Sequence, residues 1–241
     1  MRRRQKKSKK ILIAFFFILL ALGCIGFILK NSNGIPIHWN EQFDLKYLVD
    51  DFSDDYYGKV QVENTHEVFK KGRISIYKKK SNTEILHVDA KEIALTLHDE
   101  KVMANILELP YGEQSVIIYQ DFNFDGVKDF ALMDGQNSCY HGPSYTIFLA
   151  KNSKFILSKT FTRLAHEYCG MFSVDQTQKR IRTMTKSGCC WHETTEFIVE
   201  NNQPKEIRIT TEDLTETHLI ITTKKLVNGK WEETIVQKEK E

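Results

Sequence analysis

The feature that most constrains the fold of this chain is a series of short apolar segments separated by polar turns, from about residue 56 to residue 238. The segments are rich in β-branched and aromatic residues and recur roughly every ten residues, a spacing typical of antiparallel strands. Strands are predicted at residues 59–62, 73–77, 84–88, 93–97, 102–107, 115–120, 129–133, 144–149, 154–157, 181–185, 191–199, 206–211, 219–226 and 230–236. The turns between them are of the hairpin kind, and include Lys80-Ser81-Asn82, Lys151-Asn152-Ser153, Asn201-Asn202-Gln203 and Asn228-Gly229.

Helical periodicity is nearly absent from the same region. The one helical candidate is the segment 161–167, where Phe161, Leu164 and Ala165 recur at helical spacing. Many strands joined by tight turns, without alternating helices, predict an all-β domain over residues 56–238. The expected architecture is an antiparallel meander that forms a barrel, a sandwich or a propeller-like domain, and the pattern does not choose among the three.

The first thirty residues differ in kind from the rest. Residues 1–10 carry seven Lys and Arg and no acid, and residues 11–29 are an unbroken apolar run. In a helix this run would reach about 28 Å, close to the thickness of a bilayer's hydrocarbon core. Residues 1–30 are therefore predicted as one N-terminal transmembrane or signal helix. The basic flank stays in the cytoplasm, so the remaining chain is expected on the periplasmic or extracellular side of the cell envelope.

Small residues precede Cys24 in the sequence Ala21-Leu22-Gly23, which makes Cys24 a possible lipidation site. The apolar run continues past that cysteine from Ile25 to Leu29, which favours an uncleaved anchor at the inner membrane. A lipoprotein and a free secreted protein are the alternatives. As an uncleaved anchor or as a lipoprotein, the protein would be attached to the membrane through its N-terminal segment.

The net charge of the exported part differs from that of the whole chain. Eight of the 34 Lys and Arg lie in residues 1–30, which leaves 26 against 32 Asp and Glu, a formal charge of −6 for residues 31–241. An acidic exported domain has no electrostatic reason to bind nucleic acid, and it attracts basic partners. Residues 31–55 are polar and irregular and are predicted as a stalk.

Cysteine usage agrees with export, because four cysteines lie outside the anchor: Cys139, Cys169, Cys189 and Cys190. Two disulfides are expected. A bridge between the adjacent Cys189 and Cys190 would form a strained ring. Cys139 and Cys169 are therefore each predicted to bond to one of that pair. A zinc site with His141 and His192 fits no standard ligand spacing well, and a cysteine nucleophile would be oxidised in this compartment.

The strongest local motif is the segment 121–129, which has the spacing of a calcium-binding loop. Oxygen-bearing side chains occupy its first, third, fifth and ninth positions, and Gly126 permits the sharp turn. The predicted ligands are Asp121, Asn123, Asp125, the carbonyl of Val127, and Asp129. β runs flank the loop and Leu132 replaces the EF-hand glutamate, so a structural Ca²⁺ that fastens a hairpin is expected. An acidic turn without an ion is the alternative.

Aromatic and imidazole side chains flank the cysteines and are candidates for contacts with a protein partner. They are Tyr140, His141, Tyr145, Trp191 and His192. The alternative for Tyr145 and Trp191 is burial in the core.

Four segments carry a family resemblance: YQDFNFDGVKDFALMDG, GPSYTIFL, EYCGMF and SGCCWH. Together, over about residues 115–210, the chain resembles the calcium-binding periplasmic immunity proteins of the xanthomonad antibacterial type IV secretion system. Those proteins are similar in fold to the periplasmic inhibitors of invertebrate-type lysozyme. The resemblance implies a β-rich domain that blocks a peptidoglycan-cleaving glycosidase outside the inner membrane. It also implies calcium ligands at the five positions named above.

The predicted function is therefore an immunity protein or inhibitor that binds a secreted, lysozyme-like peptidoglycan hydrolase and is stabilised by calcium. The alternative is a non-enzymatic, calcium-stabilised binding module of the envelope or surface. An enzyme is not expected, because no pair of acids lies in a recognisable active-site setting.

Overall fold

The computed structural model describes residues 39–40, 42–109 and 112–239. The predicted N-terminal helix, Cys24 and the first part of the predicted stalk lie outside these residues. Within them, no helix is long and apolar enough to cross a membrane.

The domain from residue 39 onward is all-β with one α-helix, which confirms the predicted fold class. The first sheet contains β1 (Leu45–Val49), β2 (Tyr56–Val62), β3 (Phe69–Lys78) and β4 (Thr83–Ala94). The second contains β5 (Ile117–Gln120), β6 (Asp129–Ser138), β7 (Gly142–Lys151) and β8 (Lys154–Leu157). The helix α1 (Lys159–Glu167) follows. The third sheet contains β9 (Ser173–Asp175), β10 (Arg180–Ser187), β11 (Trp191–Glu200), β12 (Gln203–Leu214), β13 (His218–Val227) and β14 (Lys230–Glu239).

Within each sheet, every strand pairs antiparallel with its neighbours in sequence, so the three sheets are meanders. None of the three closes into a barrel within the described residues. Ser158 caps the N-terminus of the helix, and its side chain accepts a hydrogen bond from the Phe161 backbone N–H. Its buried residues are Phe161, Leu164 and Ala165, the three that its spacing predicted.

One hydrophobic core joins the three sheets and the helix. Its fully buried members include residues of β2, β3 and β4 (Val60, Val62, Ile74, Ile76, Ile93), of β5 to β7 (Ile117, Phe130, Leu132, Ile147) and of α1 and β10 (Phe161, Ile181). Gly58 of β2 permits close approach of the first two sheets, because a Cβ there would meet the Ile117 side chain.

The structure corrects several predicted boundaries. Residues 102–107 do not form a strand, because Asn105 adopts a left-handed backbone (φ 63°) that interrupts any extended run. The candidate 84–88 and the first two residues of the candidate 93–97 belong to the single strand β4, which ends at Ala94, so residues 95–97 are not a strand. The strand β1 lies inside the segment 31–55 that was predicted as a stalk, and Phe43 and Val49 are buried there. The folded domain therefore begins earlier than the turn pattern indicated.

Candidate functional site

The segment 121–129 is the connection between β5 and β6, whose last and first residues, Gln120 and Asp129, face each other. The Asp121 carboxylate accepts hydrogen bonds from the backbone N–H groups of Phe124 (2.7 Å) and Gly126 (2.8 Å). Gly126 has φ 87°, a conformation that favours glycine. The Asp121 side chain is thus folded inward over a tight turn.

Asp129 closes the connection from the inside of the protein. Its side chain is fully buried and accepts hydrogen bonds from the backbone N–H groups of Phe122 and Ala150, each at 2.8 Å. Burial raises the pKa of Asp129 to about 7, and the negative charges of Asp121 and Asp125 act in the same direction. The two backbone hydrogen bonds oppose that rise without cancelling it. A buried carboxyl beside two further carboxylates is stabilised in its ionised form by a cation.

The donor set fits a hard cation, since it offers carboxylate and amide oxygens. Among the described residues, no group of three or more His, Cys, Asp or Glu side chains is gathered tightly enough to hold a metal ion. The reason lies in local hydrogen bonding: one Asp125 oxygen accepts from the Val127 N–H (2.9 Å) and the other from the Asn123 amide (2.9 Å). Calcium binding by Asp121, Asn123, Asp125, Val127 and Asp129 therefore stays a prediction.

Two side chains from distant parts of the chain contact the segment 121–129. The Asn123 amide nitrogen donates to the Asn202 side-chain oxygen (3.0 Å), and the Gln176 amide nitrogen donates to the Asp121 carbonyl (2.6 Å). Asn202 lies in the β11–β12 turn and Gln176 in the β9–β10 turn. The connection thereby links the second sheet to two turns of the third. The sequence identified Asn201-Asn202-Gln203 as a turn, but local pattern carries no signal for its position in space.

The disulfide pairing differs from the prediction. Cys139 is bonded to Cys169, with their Cα atoms 4.7 Å apart. Neither can then bond to Cys189 or Cys190. Cys189 is an exposed thiol at the β10–β11 turn, and Cys190 beside it is partly exposed. Proximity decides the pairing, because the Cys139 N–H donates to the Tyr168 carbonyl next to Cys169 (3.3 Å).

Tyr140 and His141 project from the short turn that follows Cys139. Tyr140 is 64% exposed, and both residues adopt left-handed backbones (φ 53° and 57°). The Tyr140 hydroxyl accepts a hydrogen bond from the Gly188 N–H (2.7 Å), and the Lys186 ammonium lies 4.9 Å from the centre of its ring. We call these four residues, Tyr140, His141, Lys186 and Gly188, the Tyr140 surface. The structure thus brings together the two segments that begin at Cys139 and at Ser187.

His141 is held from the first sheet. Its ring contacts Phe69 edge to face, with centroids 5.1 Å apart, and its Nε2 lies 3.5 Å from the Glu92 carboxylate. Beside the Tyr140 surface is a pocket of about 220 Å³ lined by Gln114, Cys139, Tyr140, Cys169, Gly170 and Lys186. The disulfide therefore forms part of the lining of this pocket, next to the exposed Tyr140 ring.

The other predicted contact residues have different positions. Tyr145 is fully buried and donates its hydroxyl hydrogen bond to the Ser115 carbonyl (3.0 Å), so its assignment as a partner-binding residue is wrong. Burial raises the pKa of that hydroxyl. Trp191 and His192 are partly exposed on β11, where His192 is opposite Lys186. They border the Tyr140 surface.

The comparisons with known proteins give one structural likeness. No protein-family model matches the chain, and no curated protein does. A solved protein described as a Xanthomonas type IV secretion system related protein has the same fold, with a TM-score of 0.62 and 18% sequence identity. The alignment covers 83% of this chain and 97% of that protein. At this identity the likeness establishes a shared fold.

Proposed function

We propose that this chain is an exported inhibitor, of the immunity type, that binds and blocks a lysozyme-like peptidoglycan hydrolase at the cell envelope. The observation that supports it most directly is the Tyr140 surface, in which exposed rings project from a turn whose first residue is anchored by the Cys139–Cys169 disulfide. The fold likeness adds context, because that neighbour is described as related to a type IV secretion system.

Rigidity suits the Tyr140 surface to inhibition. The disulfide, the hydrogen bond from the Gly188 N–H and the contact with the Lys186 ammonium restrain the Tyr140 ring before any partner arrives. Because the ring is already ordered, little conformational entropy is lost when a partner binds, which is how a preorganised surface gains affinity. Aromatic side chains held in this way are the usual anchors of protein interfaces.

Charge favours a glycosidase cleft as the partner. Such clefts carry two catalytic carboxyl groups on either side of the scissile bond. The Tyr140 surface presents the Lys186 ammonium and the His141 imidazole beside an aromatic ring. A cationic, aromatic projection is complementary to an acidic, sugar-binding groove. The formal charge of −6 on residues 31–241 would also attract the basic body of such an enzyme.

Calcium in the segment 121–129 is the second part of the proposal, and its role would be structural. Asp121, Asn123, Asp125 and Asp129 would supply side-chain oxygens, and Val127 its carbonyl. The buried Asp129 carboxyl supports the proposal, because an isolated charge at that place is costly and a bound cation offsets the cost.

The test of inhibition uses the full chain in a turbidity assay with cell-wall substrate and a panel of lysozyme-like enzymes. Replacing Tyr140 by Ala is expected to weaken inhibition of the sensitive enzyme by ~30-fold or more, the effect of losing an interface hot spot. Ile156→Ala is the matched control, since Ile156 is 49% exposed and lies on β8. Tyr140→Phe keeps the ring and removes the acceptor of the Gly188 hydrogen bond, so an intermediate loss is expected.

Two results would contradict the proposal. If no enzyme of the panel is slowed by the wild-type chain, inhibition is ruled out and the envelope binding module replaces it. If inhibition occurs but Tyr140→Ala behaves like Ile156→Ala, another surface makes the contact.

Asn202 should influence calcium affinity without being a ligand. Its side-chain oxygen accepts from the Asn123 amide nitrogen and so fixes the orientation of that amide, whose oxygen is turned into the segment 121–129, where it accepts from the Asp125 N–H (3.4 Å). Asn202→Gly keeps the left-handed backbone of that position (φ 59°) accessible and removes the hydrogen bond. We expect calcium to bind about fivefold more weakly, in line with the ~1 kcal/mol of one hydrogen bond. Calorimetric titration measures this, with Asn201→Gly as the matched control; equal affinities for both variants would contradict it.

A further inference from the structure

The strand β14 is a free edge of the third sheet. It pairs with β13 on one side only, and of the strands that the structure describes it alone is exposed at every position. Trp231, Ile235 and Val236 are 46%, 61% and 45% exposed on it. A ten-residue edge with apolar side chains is a template for pairing with another strand.

The turn before β14 determines which of its backbone groups face outward. Asn228 and Gly229 have φ values of 51° and 76°, the left-handed pair of a two-residue hairpin turn, and Val227 faces Lys230 across it. Such a turn closes on a hydrogen-bonded pair, so the N–H and C=O groups of Lys230 point toward β13. Because the direction alternates along an antiparallel strand, the outward groups belong to residues 231, 233, 235, 237 and 239.

We propose that β14 pairs with β14 of a second copy of this chain, antiparallel about a two-fold axis at Ile235. In a two-fold pairing, each outward-facing residue lies opposite an outward-facing residue of the other copy. Because the outward-facing residues all have odd numbers, the two-fold axis passes through a residue position and never between two residues. With the centre at Ile235, Glu232 faces Lys238 of the partner, and by symmetry Lys238 faces Glu232. Thr234 faces Val236, and Ile235 faces its own copy.

Charge selects this register among the neighbouring ones. Within residues 230–239, a centre at Thr234 would place Lys230 opposite Lys238. A centre at Glu233 would place that residue opposite its own copy, and a centre at Val236 would place Glu233 opposite Glu239. Like charges directly across a strand pair are destabilising, whereas Glu opposite Lys is stabilising. Only the centre at Ile235 has two attractive pairs and no like pair inside the described strand.

The experiment is a charge exchange followed by measurement of molar mass. The full chain is purified in detergent micelles, and sedimentation equilibrium across a concentration series gives the dimer dissociation constant. Glu232→Lys and Lys238→Glu each place like charges opposite one another twice, so each is expected to weaken the dimer about tenfold or more. The double variant Glu232→Lys/Lys238→Glu restores both pairs across the dimer and is expected to recover most of the wild-type affinity; the remaining loss reflects Lys225 of β13, which faces residue 232 within the chain. Lys80→Glu makes the same change of charge in the exposed β3–β4 turn and should leave the constant unchanged.

Three outcomes would overturn the proposal. The first is a wild-type chain that stays monomeric at every concentration. The second is a dimer that the two single variants leave intact, which would locate the contact elsewhere. The third is a monomer whose β14 amides are nevertheless protected from hydrogen exchange, because another segment of the same chain would then cover the edge. Circular dichroism of each variant checks that the fold is retained.

Discussion

Removal of calcium is expected to lower the melting temperature of the purified protein, and to lower it more at pH 8 than at pH 5.5. Binding to the native state alone adds about 4 kcal/mol to the free energy of unfolding when calcium is at a thousandfold excess over its dissociation constant. The pH dependence follows from Asp129, whose pKa is raised to about 7. Below that pH the carboxyl holds a proton that calcium must displace. Each pH unit below 7 therefore costs about 1.4 kcal/mol of binding free energy.

The stability of the calcium-free protein should instead fall as the pH rises. The raised pKa of Asp129 means that the folded state binds the proton more tightly than the unfolded chain does. Its contribution is favourable at low pH and is lost as the pH rises from about 4, the pKa of an unfolded aspartate, through about 7. Calcium is thus expected to stabilise the protein most at the pH where the calcium-free protein is least stable.

Melting curves with and without chelator at the two pH values test both statements. Asp125→Ala is expected to abolish the calcium-dependent shift, and Asp54→Ala, a change to an exposed acid outside the loop, should retain it. Identical melting curves with and without chelator, with no ion found on the purified protein, would contradict the calcium assignment.

The strands and turns of this chain could be predicted because their signals are local. Asn228-Gly229 is the residue pair that a two-residue hairpin requires, and both adopt the expected left-handed conformation. The helix was predicted from the spacing of Phe161, Leu164 and Ala165, all of which are buried. Local pattern failed where one backbone angle decides the outcome, as at Asn105, whose left-handed conformation ends the extended run predicted at 102–107.

Contacts between residues far apart in the chain could not be predicted from local sequence patterns. Tyrosine is a common residue type at protein interfaces. The structure shows instead that Tyr145 of β7 is fully buried and that its hydroxyl donates a hydrogen bond to the Ser115 carbonyl. The adjacent cysteines Cys189 and Cys190 suggested two bridges to distant partners. The approach of α1 to the end of β6 instead brings Cys169 to Cys139. The spacing of the segment 121–129 is a local signal, but its hydrogen bond with Asn202 is not, because Asn202 is 79 residues from Asn123.

Loss of the Cys139–Cys169 disulfide is the other change with a large expected effect. The bridge closes a loop of 30 residues, and the restriction it places on the unfolded chain corresponds to about 3 to 4 kcal/mol of unfolding free energy. The double variant Cys139→Ala/Cys169→Ala should lose that amount in urea unfolding under non-reducing conditions. Under the proposed function, this variant should also inhibit the lysozyme-like enzyme more weakly, because the turn that carries Tyr140 is no longer anchored at Cys139.

Cys189→Ser separates this pairing from the one that the sequence suggested. Cys189 is exposed at a turn and forms no bridge to Cys139 or Cys169, so its replacement should change the unfolding free energy by less than about 0.5 kcal/mol, as for most surface substitutions. If Cys139 or Cys169 were bonded to Cys189 instead, this single change would cost as much as loss of a bridge. Mass spectrometry of the non-reduced digest gives the independent answer, through a linked peptide pair that contains Cys139 and Cys169. A linked pair that joins either of them to the Cys189 peptide would refute the pairing and, with it, the account of how the Tyr140 surface is held.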